Sequence, residues 1–332
     1  MLHTHTNPSN SLISDAMHLA FRPIRPEEII EASYLIDAAY APQRQELYGN
    51  TPLGRWRHYD EAKIESYVER EAEGVRVGLW KGKIIAFYVC RSYGSLGWFH
   101  TLTIHPRFQS RGLGKQAVAD AEGYLSNQGV TTIALMTWPT AINNLAFYQR
   151  QGYQLKGLSV YAYRNTRTAI ISGRSPFYAT TFDATPAEDF SSVVHAVRML
   201  GNRIKPGLDY LPWLTWARDK DFAETLLLWH DRQLYALALA YFFPNAHWAE
   251  GKLLLIHPDA SLSDRLWVLE HIRYWTHTRN RNTFGLPVDL SSDFPQEALL
   301  PHDFRFYPEV MVNMVKGENL PDPARHFVRF GG

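Results

Sequence analysis

Thr103-Ile104-His105-Pro106-Arg107-Phe108-Gln109-Ser110-Arg111-Gly112-Leu113-Gly114 is the stretch whose reading decides the fold of this chain. A strand pattern ends at Ile104, a short loop follows Pro106, and the glycines open a helix. Leu113, Ala117, Ala121, Tyr124 and Leu125 share one face of that helix. Several backbone N–H groups are unpaired at such a helix N-terminus, and the helix dipole favours an anion there. Gly112 and Gly114 carry no Cβ, so a pyrophosphate can come close to the backbone. Arg111 and Lys115 add charge-assisted contacts to phosphate oxygens. Two rival phosphate loops fit poorly. A P-loop needs Ser or Thr after its Lys, and Gln116 follows Lys115. A dinucleotide fingerprint accepts Ala117 at its third position but follows the first strand of its domain, whereas three or four strands come first here. The plain structural alternative is a Gly-rich turn that packs helix against strand.

Outward from this loop, the pattern predicts a strand at 19–24, then a helix opened by Pro26-Glu27-Glu28 and running to about Ala39. A helix at 61–71 and strands at 76–80, 83–92 and 97–105 lead into the loop. After it come the helix at 112–126, a strand at 131–137, a helix at 143–151, and two final strands near Tyr153 and Val160. The second half repeats this order: a strand at 177–182, a helix opened by Pro186, a hairpin of 226–229 with 234–243, and a strand ending in Ile256-His257-Pro258. The helix after it places Leu262, Leu266, Leu269 and Ile272 on one face. Trp80 and Trp229, Trp98 and Trp248, Pro106 and Pro258, and Tyr153 and Phe304 all recur at nearly one spacing, which reads as duplication of a whole domain.

Composition sets wide bounds. The 332 residues suffice for two domains; 45% are hydrophobic and 20% charged, as in an ordinary globular protein. A net charge of +1 gives no electrostatic case for nucleic acid or an anionic membrane, and neither is expected as a partner. No stretch approaches about 20 consecutive apolar residues. Residues 1–17 are polar, lack the apolar centre of a signal peptide, and are expected to be disordered; His3 and His5 there are weak metal candidates. Cys90 is the one cysteine, in the apolar run from Ile84 to Val89, and is read as a small core residue. A single cysteine fits a reducing compartment, and the expected location is cytoplasmic. No multi-cysteine or His-Glu-x-x-His metal spacing occurs, and no Gly-x-Ser-x-Gly nucleophile elbow, so no metal is expected.

Residues 109–114 and Tyr148-Gln149-Arg150-Gln151-Gly152-Tyr153 together resemble the two signatures of the GCN5-related N-acetyltransferase (GNAT) superfamily, Gln/Arg-x-x-Gly-x-Gly/Ala and Tyr-x-x-x-Gly-Phe/Tyr, in order and at family-like separation. The resemblance covers about 19–165. It implies acetyl-CoA as co-substrate, with Gln109, Ser110, Arg111, Gly112, Leu113, Gly114 and Lys115 holding its pyrophosphate. Its pantetheine amides would pair with the free edge of the fourth strand at Leu102, Thr103 and Ile104. It implies direct attack by a primary amine on the thioester, with no acyl-enzyme. Tyr148 stands where many members keep a phenol that protonates the departing thiolate; the bland reading is an aromatic core residue. His100 stands where many carry a base; the bland reading is a strand histidine with a local hydrogen bond. Asn144 is a cofactor-contact candidate, although the family's usual Asn position, seven before the Tyr, holds Ala141. Tyr40, Trp56, Trp98 and Phe99 are candidates for an acceptor wall, core packing being the preferred reading for most.

In the second repeat Asp259-Ala260-Ser261-Leu262-Ser263-Asp264 replaces the loop, without glycine and with two acids, while Leu299 and Asp303 stand at the positions of Tyr148 and Gly152. The expectation is an α/β protein of two GNAT-like domains, each a mixed, mostly antiparallel sheet flanked by helices. The divisions are an N-terminal extension at 1–17, a catalytic domain at 18–165, a linker at 166–176, a degenerate domain at 177–318 and a tail at 319–332. The acceptor is a small-molecule or peptide amine, and a homodimer is compatible with the sequence. The alternative functions are an acyl-CoA-binding sensor and an interaction module without turnover.

Overall fold

A computed structural model describes residues 17–49, 51, 59–167, 171 and 174–328. Residues 1–16 of the expected extension, with His3 and His5, and also Trp56, lie outside the described residues, as do parts of the expected linker and tail. The first half runs β1 (Ala20–Pro23), α1 (Ile29–Tyr48), α2 (Glu61–Glu71), β2 (Val75–Trp80), β3 (Lys83–Tyr93), β4 (Leu96–Ile104), α3 (Leu113–Asn127), β5 (Thr132–Thr137), α4 (Ile142–Arg150) and β6 (Gln154–Asn165). The second half runs β7 (Tyr178–Thr181), α5 (Phe190–Ile204), α6 (Leu211–Arg218), β8 (Ala223–His230), β9 (Gln233–Tyr241), β10 (Trp248–Ile256), α7 (Leu262–Thr278), β11 (Thr283–Asp289), a π-turn at Pro295–Leu299, β12 (Arg305–Gly317) and β13 (His326–Val328).

Local chemistry accounts for many of the boundaries. Asp60 caps α2 by accepting from the Lys63 N–H at 3.0 Å. The helix expected to stop near Ala39 instead continues through Pro42 to Tyr48. A proline removes only one ladder hydrogen bond, and an Asp37–Arg44 ion pair of 2.7 Å spans it. The duplication extends to individual hydrogen bonds. His105 N–H donates to Ile85 and His257 N–H to Tyr235, both at 2.8 Å; Tyr153 N–H donates to Tyr148 and Phe304 N–H to Leu299, at 3.1 and 3.2 Å. Asp303 retains a positive φ of 59° where Gly152 has 92°.

Among the described residues, thirteen strands form one sheet in the order β1-β2-β3-β4-β5-β12-β6-β11-β10-β9-β8-β7, with β13 against β10. Among these described strands only β4 with β5 and β10 with β11 are parallel. The two short strands expected near Tyr153 and Val160 are a single 12-residue strand, β6. Its neighbours both come from the second half: β12 on one side and β11 on the other. The halves therefore exchange their last strands, and β12 completes the sheet of the first half by pairing with β5. One apolar cluster joins them, including Tyr93, Leu96 and Trp98 from the first half and Phe182, Trp213 and Leu255 from the second. Gly94 (φ +68°) is required at this junction, because a Cβ there would lie 1.9 Å from the Gly207 carbonyl oxygen. No helix among the described residues is long and apolar enough to cross a membrane.

Candidate active site

β4 and β5 pair only from Leu96 to Trp98 and then separate. On its other side β4 carries a bulge: Val89 faces His100 and Phe87 faces Thr103, so three steps on β4 match two on β3. Thr101 sits in the bulge with a φ of 56°. A β-branched residue in the left-handed region costs on the order of 1–3 kcal/mol. Local bonds hold it there: its hydroxyl meets His100 Nδ1 at 2.8 Å, and its carbonyl accepts from Thr103 Oγ1 at 3.1 Å. Leu102, Thr103 and Ile104 thus lie on a β4 edge that β5 leaves open. Nothing in the sequence pattern marked Thr101 as the bulge.

Past Ile104 the chain makes a 3-10 turn at Pro106–Phe108, held by Arg107 N–H donating to His105 Nδ1 at 3.2 Å. Gln109 Nε2 reaches back to the Ile104 carbonyl at 3.0 Å. Ser110 and Gly112 then take positive φ values of 61° and 80°. Gly112 is the N-cap of α3 and supplies no side-chain cap. The backbone N–H groups of Ser110, Arg111, Gly112, Leu113 and Gly114 donate to no acceptor among the described residues. The two glycines serve different ends. A Cβ on Gly112 meets nothing within 4 Å, so its need is for backbone conformation; one on Gly114 comes within 3.2 Å of the Phe147 ring, so its need is for close helix approach. Arg111 and Lys115 are exposed and form no ion pair among the described residues. Leu113 is buried and anchors the helix start. Five N–H donors and two cations, all without partners among the described residues, thus stand at one helix N-terminus, an arrangement that favours an anion.

Tyr148 packs in the last turns of α4 against Phe99, Phe147 and Tyr153, with centroids 6.4, 5.1 and 5.8 Å away. Its hydroxyl has no hydrogen-bond partner among the described residues. Burial pushes the phenol above its ordinary value, so it stays protonated at neutral pH. His100 faces the other side of the sheet, its ring edge-on to Tyr67 at 5.2 Å. Burial, then Arg91, Arg70 and Lys63, hold its imidazole well below the ordinary value and therefore neutral. Both His100 Nε2 and the Tyr67 hydroxyl are buried without a hydrogen-bond partner among the described residues. Asn144 is exposed in the first turn of α4, after Ala141 at the N-cap. Cys90 is fully buried, as a core residue should be.

Among the aromatic candidates, Trp98 packs into the cluster between the halves and Phe99 into the core behind Tyr148. Tyr40 does reach the cleft. Its hydroxyl approaches the Leu102 carbonyl at 3.4 Å, and its ring meets Tyr59 at 5.9 Å and Trp138 at 6.5 Å. Burial, then Tyr59 and Tyr148, raise its phenol. Tyr59, Tyr67 and Trp138 carried no motif, and only their fold position assembles them here.

The equivalent region of the second half is filled. β10 and β11 part after Glu250 and Gly285, and β13 enters the gap, pairing antiparallel with Leu253, Leu254 and Leu255 of β10. The N-terminus of α7 is closed by its own capping box: Ser261 Oγ accepts from Asp264 N–H at 3.2 Å, and Asp264 accepts from Ser261 N–H at 2.9 Å. Leu299, at the position of Tyr148, is fully buried.

Residues 41–153 match the acetyltransferase (GNAT) family. No curated protein matches the chain. Among solved structures, a candidate acetyltransferase from Pyrococcus horikoshii is similar over 99% of both chains, with a TM-score of 0.63 and 13% identity. A GCN5-related N-acetyltransferase from Sphaerobacter thermophilus is similar over 90% of this chain and 95% of its own, with a TM-score of 0.60 and 15% identity. A tandem GNAT protein from the clavulanic acid biosynthesis pathway is similar over 92% and 100%, with a TM-score of 0.51 and 13% identity. At these identities the likeness is one of fold.

Proposed function

We propose, from the match of residues 41–153 to the acetyltransferase (GNAT) family and the likeness of the whole chain to a tandem GNAT fold, that the first half transfers an acetyl group from acetyl-CoA to a primary amine by direct attack. The observation that carries the reading is the set of five unpaired N–H groups from Ser110 to Gly114 at the end of the opened β4/β5 cleft. Diphosphate oxygens of the co-substrate supply the acceptors these groups lack, with Arg111 and Lys115 beside them. The pantetheine amides take the open edge at Leu102, Thr103 and Ile104, where a backbone N–H polarises the thioester carbonyl. The amine lone pair forms the new C–N bond, and the C–S bond breaks. Tyr148, protonated and unpartnered, gives its proton to the departing thiolate. His100, neutral with Nε2 unpartnered, takes the proton that the amine loses. Acid and base then stand on opposite faces of the sheet. Asn144, exposed at the start of α4, is placed as an outer contact of the co-substrate.

The reading gives one acetyl-CoA per chain, because β13 occupies the second cleft and Ser261 with Asp264 closes the second helix N-terminus. The test is acetyl-CoA consumption against a broad amine panel, paired with calorimetric titration. Turnover with at least one amine and a stoichiometry of one are expected. Gly112→Glu should abolish measurable binding while leaving the fold intact, since its carboxylate enters the phosphate cradle. Binding without CoA release from any amine would favour a sensor; a stoichiometry of two, or full affinity in Gly112→Glu, would overturn the assigned site.

A further inference from the structure

We propose that Glu309, on strand β12 of the second half, is a positioning residue for the acceptor site of the first half. It accepts a hydrogen bond from Trp138 Nε1 at 3.2 Å, and so sets the indole edge-on to Tyr40 at the mouth of the β4/β5 cleft. The inference rests on the acyltransfer reading above.

The strand exchange makes the contact possible. From Phe306 to Val310, β12 advances four residues while its partner β6 advances two, from Ala162 to Val160. Tyr307, Pro308 and Glu309 therefore bulge out of the ladder, and Pro308 has no N–H to return to it. Tyr307 anchors the bulge by packing on Tyr163 at 4.8 Å and Tyr161 at 6.1 Å. Trp138 lies just past the end of β5, half-buried, in the segment before α4. The bond to Glu309 is the one hydrogen bond of its side chain among the described residues. Tyr40, in contact with both Leu102 and Trp138, makes the wall continuous from the open β4 edge to β12. An amine that reaches a thioester held at that edge passes these rings, which suit an acceptor whose hydrocarbon body lies against them. An indole free to rotate would leave this wall incomplete.

The full chain is used for the test, with the amine identified by acetyl-CoA consumption. Glu309→Ala should raise the acceptor KM about tenfold, the scale of losing a hydrogen bond to a charged group, with kcat and the acetyl-CoA KM unchanged. Glu309→Gln, which keeps an acceptor oxygen, should stay within about twofold of wild type. In a Trp138→Phe background, Glu309→Ala should add nothing. An unchanged acceptor KM in Glu309→Ala, or the full effect persisting without the indole N–H, would overturn the proposal. The indole N–H resonance of Trp138, assigned by its loss in Trp138→Phe, decides the contact without turnover. It should lose hydrogen-exchange protection in Glu309→Ala and keep it in Glu309→Gln. If no amine supports turnover, the acyltransfer reading fails; if turnover occurs but the resonance and KM ignore Glu309, this inference fails alone.

Discussion

Tyr148 shows how a residue's surroundings select its chemistry. Aromatic neighbours strip water from the phenol and keep its proton on, while nothing among the described residues takes its hydrogen bond. A protonated, unengaged hydroxyl is what a departing thiolate needs. Tyr148→Phe keeps the packing and removes the proton, so turnover should fall by roughly 10²- to 10⁴-fold with acetyl-CoA affinity unchanged; wild-type turnover across the pH range would remove Tyr148 from the reaction. His100 carries the complementary signal. Because its imidazole is held below 6.5, it remains a competent base under mildly acidic conditions. Once rates are corrected for the fraction of free-base amine, wild-type kcat/KM should run level through pH 6.5. A drop centred at 6.5 would place the base elsewhere. Of these two residues, the sequence marked Tyr148 through its Tyr-x-x-x-Gly-Tyr setting. His100 was marked only by its place in the family resemblance, and the burial of its Nε2 was not legible at all.

At the scale of elements, the exchange of β6 and β12 ties the first half to the second half. Val312 and Met314 of β12 are buried in the core of the first half, and Val315 in the cluster that joins the halves. Burying each such side chain stabilises by about 1.5–3 kcal/mol, together roughly 5–9 kcal/mol, against a typical total of about 5–15 kcal/mol for a domain. A fragment ending at Asn165 would also leave β5 and β6 without the strand between them, an open edge prone to aggregation. Such a fragment should be insoluble or unfolded alone and should recover structure when co-expressed with residues 166–332. A monomeric, cooperatively folded fragment with native circular dichroism would show that β12 is dispensable. Helix starts and hairpin turns were legible because their signals are local: Pro26-Glu27-Glu28 before α1, and Gly112 before α3. The pairing of β12 was not, since its apolar pattern suits either sheet and only loop geometry and the shared core choose between them.

For the whole molecule, buried imidazoles set the response to acid. Burial lowers His100, His257, His271 and His326, the last to about 3, where its Nε2 meets the Tyr210 hydroxyl at 2.6 Å. Each of these takes up a proton first in the unfolded chain, so stability is full above about pH 6.5 and declines as the pH falls below it. For His326 alone the loss between pH 6.5 and 5 is about 2 kcal/mol, at 1.36 kcal/mol per unit. Glu71 and Asp183, whose carboxyls burial raises, act in the opposite sense but are outnumbered. The thermal midpoint should therefore drop between pH 7 and pH 5, and His326→Gln should reduce that slope. A midpoint that is level or rises on acidification would contradict this account. Because His326 lies on β13, its protonation also loosens the strand that fills the second cleft.

The sequence by itself determined the glycine loop that opens α3, the duplicated order of elements and the loss of that loop in the second half. These rest on chemistry between near neighbours: glycines that permit positive φ, residues that cap or fail to cap a helix, and apolar spacing along one element. Tertiary structure alone decided that the halves trade their last strands, that β4 bulges at Thr101 beyond its pairing with β5, that β13 fills the second cleft, and that Glu309 meets Trp138. Each of those depends on residues far apart in the chain, where many pairings satisfy the same local pattern and only packing of the complete core selects one.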